Sequence, residues 1–485
     1  MKFYISILFS FIYLNINAQV FRCIVAKDGT GTDSTLQAAI DKCPDNVRSI
    51  IYVKKGTYYG QTYLGTKTVP SSKIISIIGE DRDQVIITYD KSLPMVTKFE
   101  EATTFQIYAK DFYAEDVTFA NSAGNTGQAL ALYTAGDRCV FKNCVIKGYQ
   151  DTYRSKKGTR GYFKNCTIEG ATDFIYAGGT IFFDDCEIRC VKGGGYIVAP
   201  EDAYVYIPKA STTCQKNLQL GFIFRNCNIT ANADVTAGSY YLGRPWNVNC
   251  GAFYLNCKLG KHINTKGWTT MGGNETTACF AEYNSMDESG VPVDITGRVT
   301  WSFQLPKSDV DNLLTLAGVY NRISTTLFEP EPICIKPQAP ANLTKNGNTI
   351  SWNKVSGVAG YLILKDGKYV TSTTDSVFTD ITAQPGVFSV KTIGQNGQMS
   401  DATTAITGIG SPEFNKTTIY QNKNELLFSD PVTFKLYNMN GILISTGNEF
   451  SLTTNISKLK SGTYFIICKS QNKNITSEKL IITQK

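Results

Sequence analysis

The stretch Phe141-Lys142-Asn143-Cys144-Val145-Ile146 recurs along the chain with the same order of residue types. An aromatic residue is followed by Asn or Asp, then by Cys, and an aliphatic residue stands two positions after the Cys. The further copies are residues 163–168, 182–188, 224–229 and 254–259. Successive cysteines are 22, 20, 41 and 30 residues apart, which indicates a unit of about twenty residues. Asp116 fits an earlier unit that lacks the cysteine.

A repeat of this length predicts a solenoid whose turns bury their apolar faces on each other. Short β-branched and aromatic runs alternate with Gly, Asn and Asp, which favours strands joined by tight bends. The helical period of 3.6 is missing from these units. We therefore predict an all-β protein built on a right-handed parallel β-helix. Its repeated cysteines are expected to form an inward ladder of unpaired thiols, with disulfides as the alternative.

The open N-terminal end of such a β-helix needs a cover, because its last strands are unpaired edges. The stretch Ser34-Thr35-Leu36-Gln37 has the form of a helix N-terminus. Leu36, Ile40 and Cys43 then follow at helical spacing, so a short amphipathic helix is predicted to close this end.

Composition divides the chain of 485 residues into four segments. Residues 1–18 are predicted to be a signal peptide, with Lys2 before an apolar run, and residues 19–330 form the β-helix. Prolines between 330 and 340 predict a stiff linker. Residues 337–409 resemble a fibronectin type III module, on the strength of Trp352 and the strand around Tyr361. Residues 410–485 predict a second small β-sandwich and resemble the C-terminal sorting domains of type IX secretion substrates.

The net charge of +7, from 48 basic and 41 acidic residues, is a mild excess that suits a polyanionic partner. No concentrated basic stripe predicts nucleic-acid binding. No segment after the signal peptide approaches the ~20 apolar residues that span a bilayer, so no membrane span is expected in the mature chain. We expect a secreted or cell-surface protein whose polyanion is an acidic polysaccharide.

One histidine, His262, occurs in the whole chain, so a Ser-His-Asp triad would have to use it. No nucleophile signature lies near His262, and we interpret it as a surface or loop residue. Carboxylate chemistry is the alternative that the residues support. The residues that could make such a hydrolytic site are Gln128, Gln150, Asp151, Asp173, Arg244 and Trp246.

Residues 20 to about 328 resemble the pectin methylesterases of carbohydrate esterase family 8. The matching stretches are Gly56-Thr57-Tyr58, Gln128-Ala129-Leu130, Gly148-Tyr149-Gln150-Asp151-Thr152, Asp173-Phe174-Ile175, Leu242-Gly243-Arg244-Pro245-Trp246, Gly267-Trp268 and Glu282-Tyr283. The resemblance implies hydrolysis of galacturonate methyl esters in pectin, with methyl-esterified homogalacturonan and the type IX secretion machinery as partners. It implies no cofactor and no metal.

The resemblance also assigns roles to individual residues. It implies that Asp173 is the nucleophile, that Asp151 is the general acid and then the general base, and that Arg244 keeps Asp173 ionised. It implies that Gln128 and Gln150 hold the developing oxyanion. The residues expected to contact substrate are Trp246, Tyr176, Tyr149 and Arg154.

Several positions depart from the family pattern and bear on substrate preference. Gly60 and Gln61 stand where the family usually has Glu, Arg154 replaces a substrate-stacking aromatic, and Ala199-Pro200 belong to a stretch that replaces Thr-Ala-Gln. The alternatives are another β-helix pectin-degrading enzyme, a polygalacturonase or a lyase, and a non-catalytic polysaccharide-binding surface protein.

Overall fold

The computed structural model describes residues 19–382, 384, 386–403, 406–407, 419–422, 425–439, 441–470 and 475–482. The predicted signal peptide, residues 1–18, lies outside the described residues. The chain divides into two compact units, with the boundary between Ile406 and Thr407.

The first unit is built on three parallel sheets that wind around a common core. One turn places Cys139–Lys142 in sheet 1, Val145–Lys147 in sheet 2 and Tyr153–Ser155 in sheet 3. The chain then re-enters sheet 1 at Arg160–Lys164, beside the strand where the turn began. This is the right-handed parallel β-helix that the repeat predicts.

The strands of each sheet come from successive turns. Sheet 1 contains Cys23–Val25, Arg48–Val53, Ile74–Gly79, Tyr113–Glu115, Cys139–Lys142, Arg160–Lys164, Thr180–Asp184, Phe222–Arg225, Gly251–Leu255, Cys279–Tyr283 and Phe303–Gln304. Sheet 2 contains Gly56–Tyr59, Val85–Tyr89, Thr118–Asn121, Val145–Lys147, Thr167–Gly170, Glu187–Cys190, Asn228–Ala231, Lys258–Leu259 and Met286–Asp287. Sheet 3 contains Thr62–Leu64, Thr103–Ile107, Leu130–Thr134, Tyr153–Ser155, Thr172–Ala177, Tyr196–Pro200 and Tyr241–Gly243.

Shorter elements decorate these turns. The 3-10 helices are Leu93–Met95, Phe99–Ala102, Lys209–Ser211 and Asn274–Thr276. The strands Tyr206–Ile207 and Leu218–Gln219 pair with each other in an antiparallel ribbon.

The Asn or Asp before each repeated cysteine makes the bend from sheet 1 to sheet 2. These residues have positive φ: 49° at Asn143, 53° at Asn165, 51° at Asp185, 55° at Asn226 and 54° at Asn256. Asn and Asp tolerate this left-handed conformation better than other residues with a side chain. Asp116 has the same conformation, with φ of 59°, and its carboxylate accepts a hydrogen bond of 2.6 Å from the Asn143 amide. Asp116 therefore belongs to the same series of bends.

The repeated cysteines form the predicted ladder of thiols inside the core. Four of the five thiols donate to the carbonyl of an aromatic residue one turn earlier, at 3.2–3.5 Å, and the Cys144 thiol donates to the Lys142 carbonyl at 3.4 Å. The pairs are Cys166 with Phe141, Cys186 with Phe163, Cys227 with Phe183 and Cys257 with Phe224. None of these four residues, nor Cys144, forms a disulfide. The prediction of unpaired thiols is confirmed for the ladder.

The aromatic residues of the repeat stack in a second column beside the thiols. Ring centroids are 4.6 Å apart for Phe141 and Phe163, 5.0 Å for Phe163 and Phe183, and 4.7 Å for Phe183 and Phe224. The column continues to Tyr254 at 4.4 Å. The column holds successive turns in register.

The N-terminal end is closed by the helix Leu36–Asp41, as predicted. Thr35, rather than Ser34, is the N-cap, because its side chain accepts the hydrogen bond from the backbone N–H of Ala38. Leu36 and Ile40 are buried in the main core.

The outer face of sheet 1 is covered by later parts of the same unit. The helices Lys307–Leu313, Leu316–Tyr320 and Pro330–Ile333 lie before a small module. One sheet of this module contains Thr344–Asn346, Thr349–Ser351 and Val377–Thr379, and the other contains Gly360–Lys365, Lys368–Thr373, Val387–Ile393 and Ile406–Thr407. Its core includes Trp352 and Tyr361, whose ring centroids lie 5.1 Å apart.

The segment predicted as a stiff linker is packed rather than extended. Pro330 is buried, and Glu331 forms an ion pair of 2.7 Å with Arg225 of the β-helix. Farther along the same face, the Tyr369 ring of the module stacks on Tyr52 at 5.3 Å. Apolar residues on both partners make this packing more stable than a free spacer.

The second unit consists of antiparallel strands around its own apolar core. The strands are Ile419–Asn422, Glu425–Asn438, Leu443–Asn455, Gly462–Ser470 and Ile475–Ile482. Leu426, Leu436 and Ile466 lie in this core. Within the residues that the structure describes, no helix has the length and apolar character of a membrane span.

Replacing Phe183 with Ala tests the stacked column directly. Phe183 is fully buried between two other rings, so the substitution removes contacts that no neighbour can replace. We expect the free energy of unfolding of the β-helix to fall by about 3–5 kcal/mol, measured by denaturant titration. Val69→Ala, at a side chain that is 69% exposed, is the control and should leave stability nearly unchanged. A loss below about 1 kcal/mol for Phe183→Ala would contradict this account.

Candidate active site

The predicted acidic residues lie at equivalent points of two successive turns. Gln128 pairs with Gln150, and Gln150 pairs with Thr172, as parallel bridges at the entrance to sheet 3. Asp151 and Asp173 follow the second and third of these residues directly. Because neighbouring strands are about 4.8 Å apart, two carboxyl groups that are distant in sequence become neighbours on one face.

Both aspartates adopt the left-handed backbone conformation. The φ angle is 62° at Asp151 and 47° at Asp173. The pairing of Thr172–Ala177 with Tyr196–Pro200 is irregular between Thr172 and Ile175, which is where Asp173 lies. Such an irregularity re-aims a side chain. Asp173 therefore reaches Arg244, while the next residue, Phe174, is fully buried in the core.

Arg244 donates two parallel hydrogen bonds to the carboxylate of Asp173. The Nε atom donates to Oδ1 at 3.0 Å, and Nη2 donates to Oδ2 at 2.6 Å. The guanidinium carbon lies 3.9 Å from the centroid of the Tyr196 ring, which adds a cation–π contact. This bidentate geometry fixes the orientation of the Asp173 carboxylate.

The strand before Arg244 approaches its neighbour closely enough to require glycine. A Cβ atom on Gly243 would lie 2.3 Å from the side chain of Val198, with which Gly243 pairs. The backbone N–H of Arg244 then donates to the Val198 carbonyl at 2.9 Å. Close packing of these two strands therefore fixes the position of the Arg244 backbone relative to Asp173.

Asp151 has the opposite environment. Burial, first, and the nearby charge of Asp173 together raise its pKa to about 8, although Arg154 and Arg244 oppose the rise. No described residue donates a hydrogen bond to its carboxyl group, whereas Asp173 receives two from Arg244. The site therefore holds a protonated carboxyl group beside an ion-paired carboxylate at neutral pH.

Gln128 and Gln150 supply amide groups beside this pair. Within the described part of the chain, neither side-chain amide has a hydrogen-bond partner, although both backbone carbonyls accept one. The amide N–H groups are thus available to a bound oxygen atom. Two neutral donors next to two carboxyl groups suit a reaction that develops negative charge on a carbonyl oxygen.

Trp246 presents an aromatic face to solvent at one side of the carboxyl pair. Its side chain is 41% exposed, and its ring packs edge-on against Tyr176 at 5.8 Å. The Asn274 amide donates to the Trp246 carbonyl at 3.0 Å and holds this loop. The sequence predicted both aromatic residues, and the structure brings them together.

The side chains of Arg154 and Tyr149 have different contacts. Arg154 lies on sheet 3 between Tyr133 and Tyr176, in register with both. The Tyr149 hydroxyl donates to the Lys192 carbonyl at 3.0 Å, so it is engaged by the loop after Glu187–Cys190.

Sequence reasoning missed three aromatic residues near the site: Phe99, Tyr133 and Tyr196. Tyr133 lies 21 residues before Arg154, and Tyr176 lies 22 after it, so the repeat period could have identified Tyr133. Phe99 lies in a 3-10 helix outside the repeat, and no spacing signals it.

His262 lies in a turn, as the loop alternative of the interpretation expects, but it is not at the surface. Its side chain is only 3% exposed, and burial lowers its pKa to about 4. The ring lies 5.8 Å from that of Tyr240, where both pack at the end of the core. A short loop that folds back onto the β-helix buries it.

The chain matches the family model described as Pectinesterase over residues 22–315 and that of a secretion system C-terminal sorting domain over residues 411–483. A probable pectinesterase 30 from Arabidopsis thaliana is 31% identical over 294 residues, which is 60% of this chain and 56% of that protein. The chain thus spans about half the length of the curated relatives it matches.

Solved structures agree with this match. A pectin methylesterase from carrot superposes with a TM-score of 0.55 at 26% identity, covering 64% of this chain and 97% of the other. A pectin methylesterase from Erwinia chrysanthemi gives 0.51 at 26% identity, covering 63% and 99%. The C-terminal sorting domain makes this a secreted or cell-surface protein. By the extent of the family match, the chain belongs to the pectinesterase family.

Proposed function

We propose that the β-helix hydrolyses the C6 methyl esters of galacturonate units in methyl-esterified homogalacturonan, releasing methanol and leaving free carboxylates. The observation that carries the proposal is the division of roles between two neighbouring carboxyl groups. Asp173 is held by the fork of Arg244, and the pKa of Asp151 is raised to about 8. A nucleophile and a proton donor are thus present together at neutral pH.

In the first step, an oxygen of Asp173 attacks the ester carbonyl carbon. The carbonyl oxygen becomes an oxyanion, and the amides of Gln128 and Gln150 donate hydrogen bonds to it. Asp151 gives its proton to the methoxy oxygen as the C–O bond breaks. Methanol leaves, and the sugar acyl group stays on Asp173 as an anhydride.

In the second step, Asp151 is a carboxylate and takes a proton from water. The hydroxide formed attacks the sugar acyl carbon, and the bond to Asp173 breaks. The product leaves as a carboxylic acid that gives its proton to solvent, while Asp173 returns to its ion pair with Arg244 and Asp151 keeps the proton taken from water. A carboxylate is a weak nucleophile toward esters, so the fixed donors supply much of the rate.

Trp246 provides the flat face on which a sugar ring packs in this proposal, with Tyr176 packed edge-on against it, and Arg154 lies one strand further along. Tyr149 is a further proposed substrate contact, and its hydroxyl is held by a loop carbonyl. The site uses no cofactor or metal in either step. The type IX secretion machinery is the proposed partner of the C-terminal domain.

We also propose the domain limits and the nature of the middle module. Residues 19–330 act as the catalytic domain, residues 337–409 as a fibronectin type III-like module, and residues 410–485 as the sorting domain. Sheets of three and four strands around Trp352 and Tyr361 support the middle assignment.

Asp173→Asn tests the nucleophile. The variant keeps the size of the side chain but removes the attacking oxygen charge, so we expect methanol release from highly methylated pectin to fall at least about 1,000-fold. Wild-type protein run in parallel should release methanol without shortening the polymer. A polygalacturonase would instead produce reducing ends, and a lyase would produce unsaturated ends.

Wild-type rates in Asp173→Asn would contradict the mechanism. Absence of methanol from both proteins, with binding of pectin retained, would favour the polysaccharide-binding alternative.

The pH dependence tests Asp151. The Asp151 carboxyl group must be protonated to release methanol, and its pKa is raised to about 8. The protonated, active form is therefore fully populated well below this pH and is lost above it. We expect kcat/KM to decline through an alkaline limb centred near pH 8, measured against substrate without protein to subtract base hydrolysis. A rate constant that stays level through this pH range would exclude Asp151 as the acid.

A further inference from the structure

Arg154 occupies the outward row of sheet 3, beside the carboxyl pair. Its neighbours in sequence, Tyr153 and Ser155, are buried in the interior, so alternation turns Arg154 to the outer face. Its guanidinium carbon lies 4.3 Å from the ring centroid of Phe99, 5.1 Å from that of Tyr133 and 5.7 Å from that of Tyr176. Three rings thus surround one cation.

The hydrogen-bond donors of Arg154 are unused. Its Nε atom is buried without a partner, and no described carboxylate lies within 4.0 Å of its nitrogens. Every other arginine of the chain donates at least one hydrogen bond within the described residues. Arg154 is therefore the one arginine without a hydrogen bond among the described residues, and it lies next to the candidate active site.

The loop that carries Phe99 is held in place from below. The Gln61 and Gln106 side chains both donate to the Glu100 carbonyl, at 2.9 and 2.8 Å. Gln61 also donates to the Thr103 carbonyl at 3.0 Å. Gln61 stands where the family usually has Glu. This departure and Arg154 meet at the same loop, because Gln61 holds the loop that carries Phe99 and Arg154 packs on the Phe99 ring. Because the Phe99 ring is held in place, it keeps the Arg154 guanidinium in one orientation.

A guanidinium between aromatic rings is partly shielded from water, which strengthens any charge-assisted hydrogen bond that it makes. Its planar fork matches a carboxylate, and the ring contacts leave the edge with the N–H groups as the binding edge. The proposed product of the neighbouring site is itself a carboxylate on a sugar. A methyl ester carries no charge, so its interaction with the Arg154 guanidinium is much weaker than that of a carboxylate.

We propose that Arg154 forms a subsite for the free carboxylate of a galacturonate unit next to the ester that reacts. This inference rests on the proposed function and adds a preference to it. A chain that already carries carboxylates binds better than a fully esterified chain, so earlier turnovers create the ligand for later ones. Arg154 is thus a specificity-determining residue that takes no part in the bond changes.

Binding of defined oligomers tests the subsite without turnover. In the Asp173→Asn background, calorimetry would compare unesterified and fully methyl-esterified galacturonate oligomers of equal length. We expect Arg154→Gln to weaken binding of the unesterified oligomer by about tenfold and to leave the esterified one nearly unchanged. Lys156→Gln removes the same charge two residues away, at an exposed side chain, and should change neither affinity appreciably.

Arg154→Lys keeps the charge but loses the fork, and we expect an intermediate loss. It also serves if Arg154→Gln fails to fold, which the thermal midpoint would reveal. Equal losses for both oligomers, or the same loss in Lys156→Gln, would overturn the subsite. Failure of the proposed function would appear separately, as absence of methanol release by the wild-type protein.

Discussion

The one-to-one register between successive turns of the β-helix is the constraint on which both the core and the site depend. Inside, it stacks the thiols and aromatic rings of the repeat into columns. At the entrance to sheet 3, the same register pairs Gln128 with Gln150 and Gln150 with Thr172. Asp151 and Asp173 become neighbours for the same reason. A shift of one residue in a single turn would separate them.

Two carboxyl groups that share a face repel each other, and the structure resolves this conflict asymmetrically. Asp173 receives both hydrogen bonds from Arg244, whereas Asp151 is left without a described donor and its pKa is raised to about 8. The difference comes from the close approach of Gly243 to Val198, which sets the position of Arg244. The close approach of these two strands thereby determines which carboxyl group receives the two hydrogen bonds of Arg244.

The repeat predicted the β-helix and its thiol ladder, and the capping stretch at Ser34 predicted the N-terminal helix, because these features depend on local spacing. The family resemblance supplied Asp151, Asp173, Arg244 and Trp246, and the structure brings them together. The burial of His262 and the packing of the Pro330 segment were not predicted, because burial by a returning loop or a covering module depends on contacts distant in sequence. Phe99 escaped notice for the same reason: its place beside Arg154 depends on hydrogen bonds from Gln61 and Gln106.

The most direct test of the central claim is the protonation state of Asp151 in the resting protein. Infrared difference spectra between wild type and Asp151→Asn, recorded across a pH series, isolate the absorption of this single carboxyl group. The account predicts a protonated carboxyl band at pH 7 that disappears as the pH rises through about 8. A spectrum that shows Asp151 already ionised well below neutral pH would contradict the division of roles between the two aspartates.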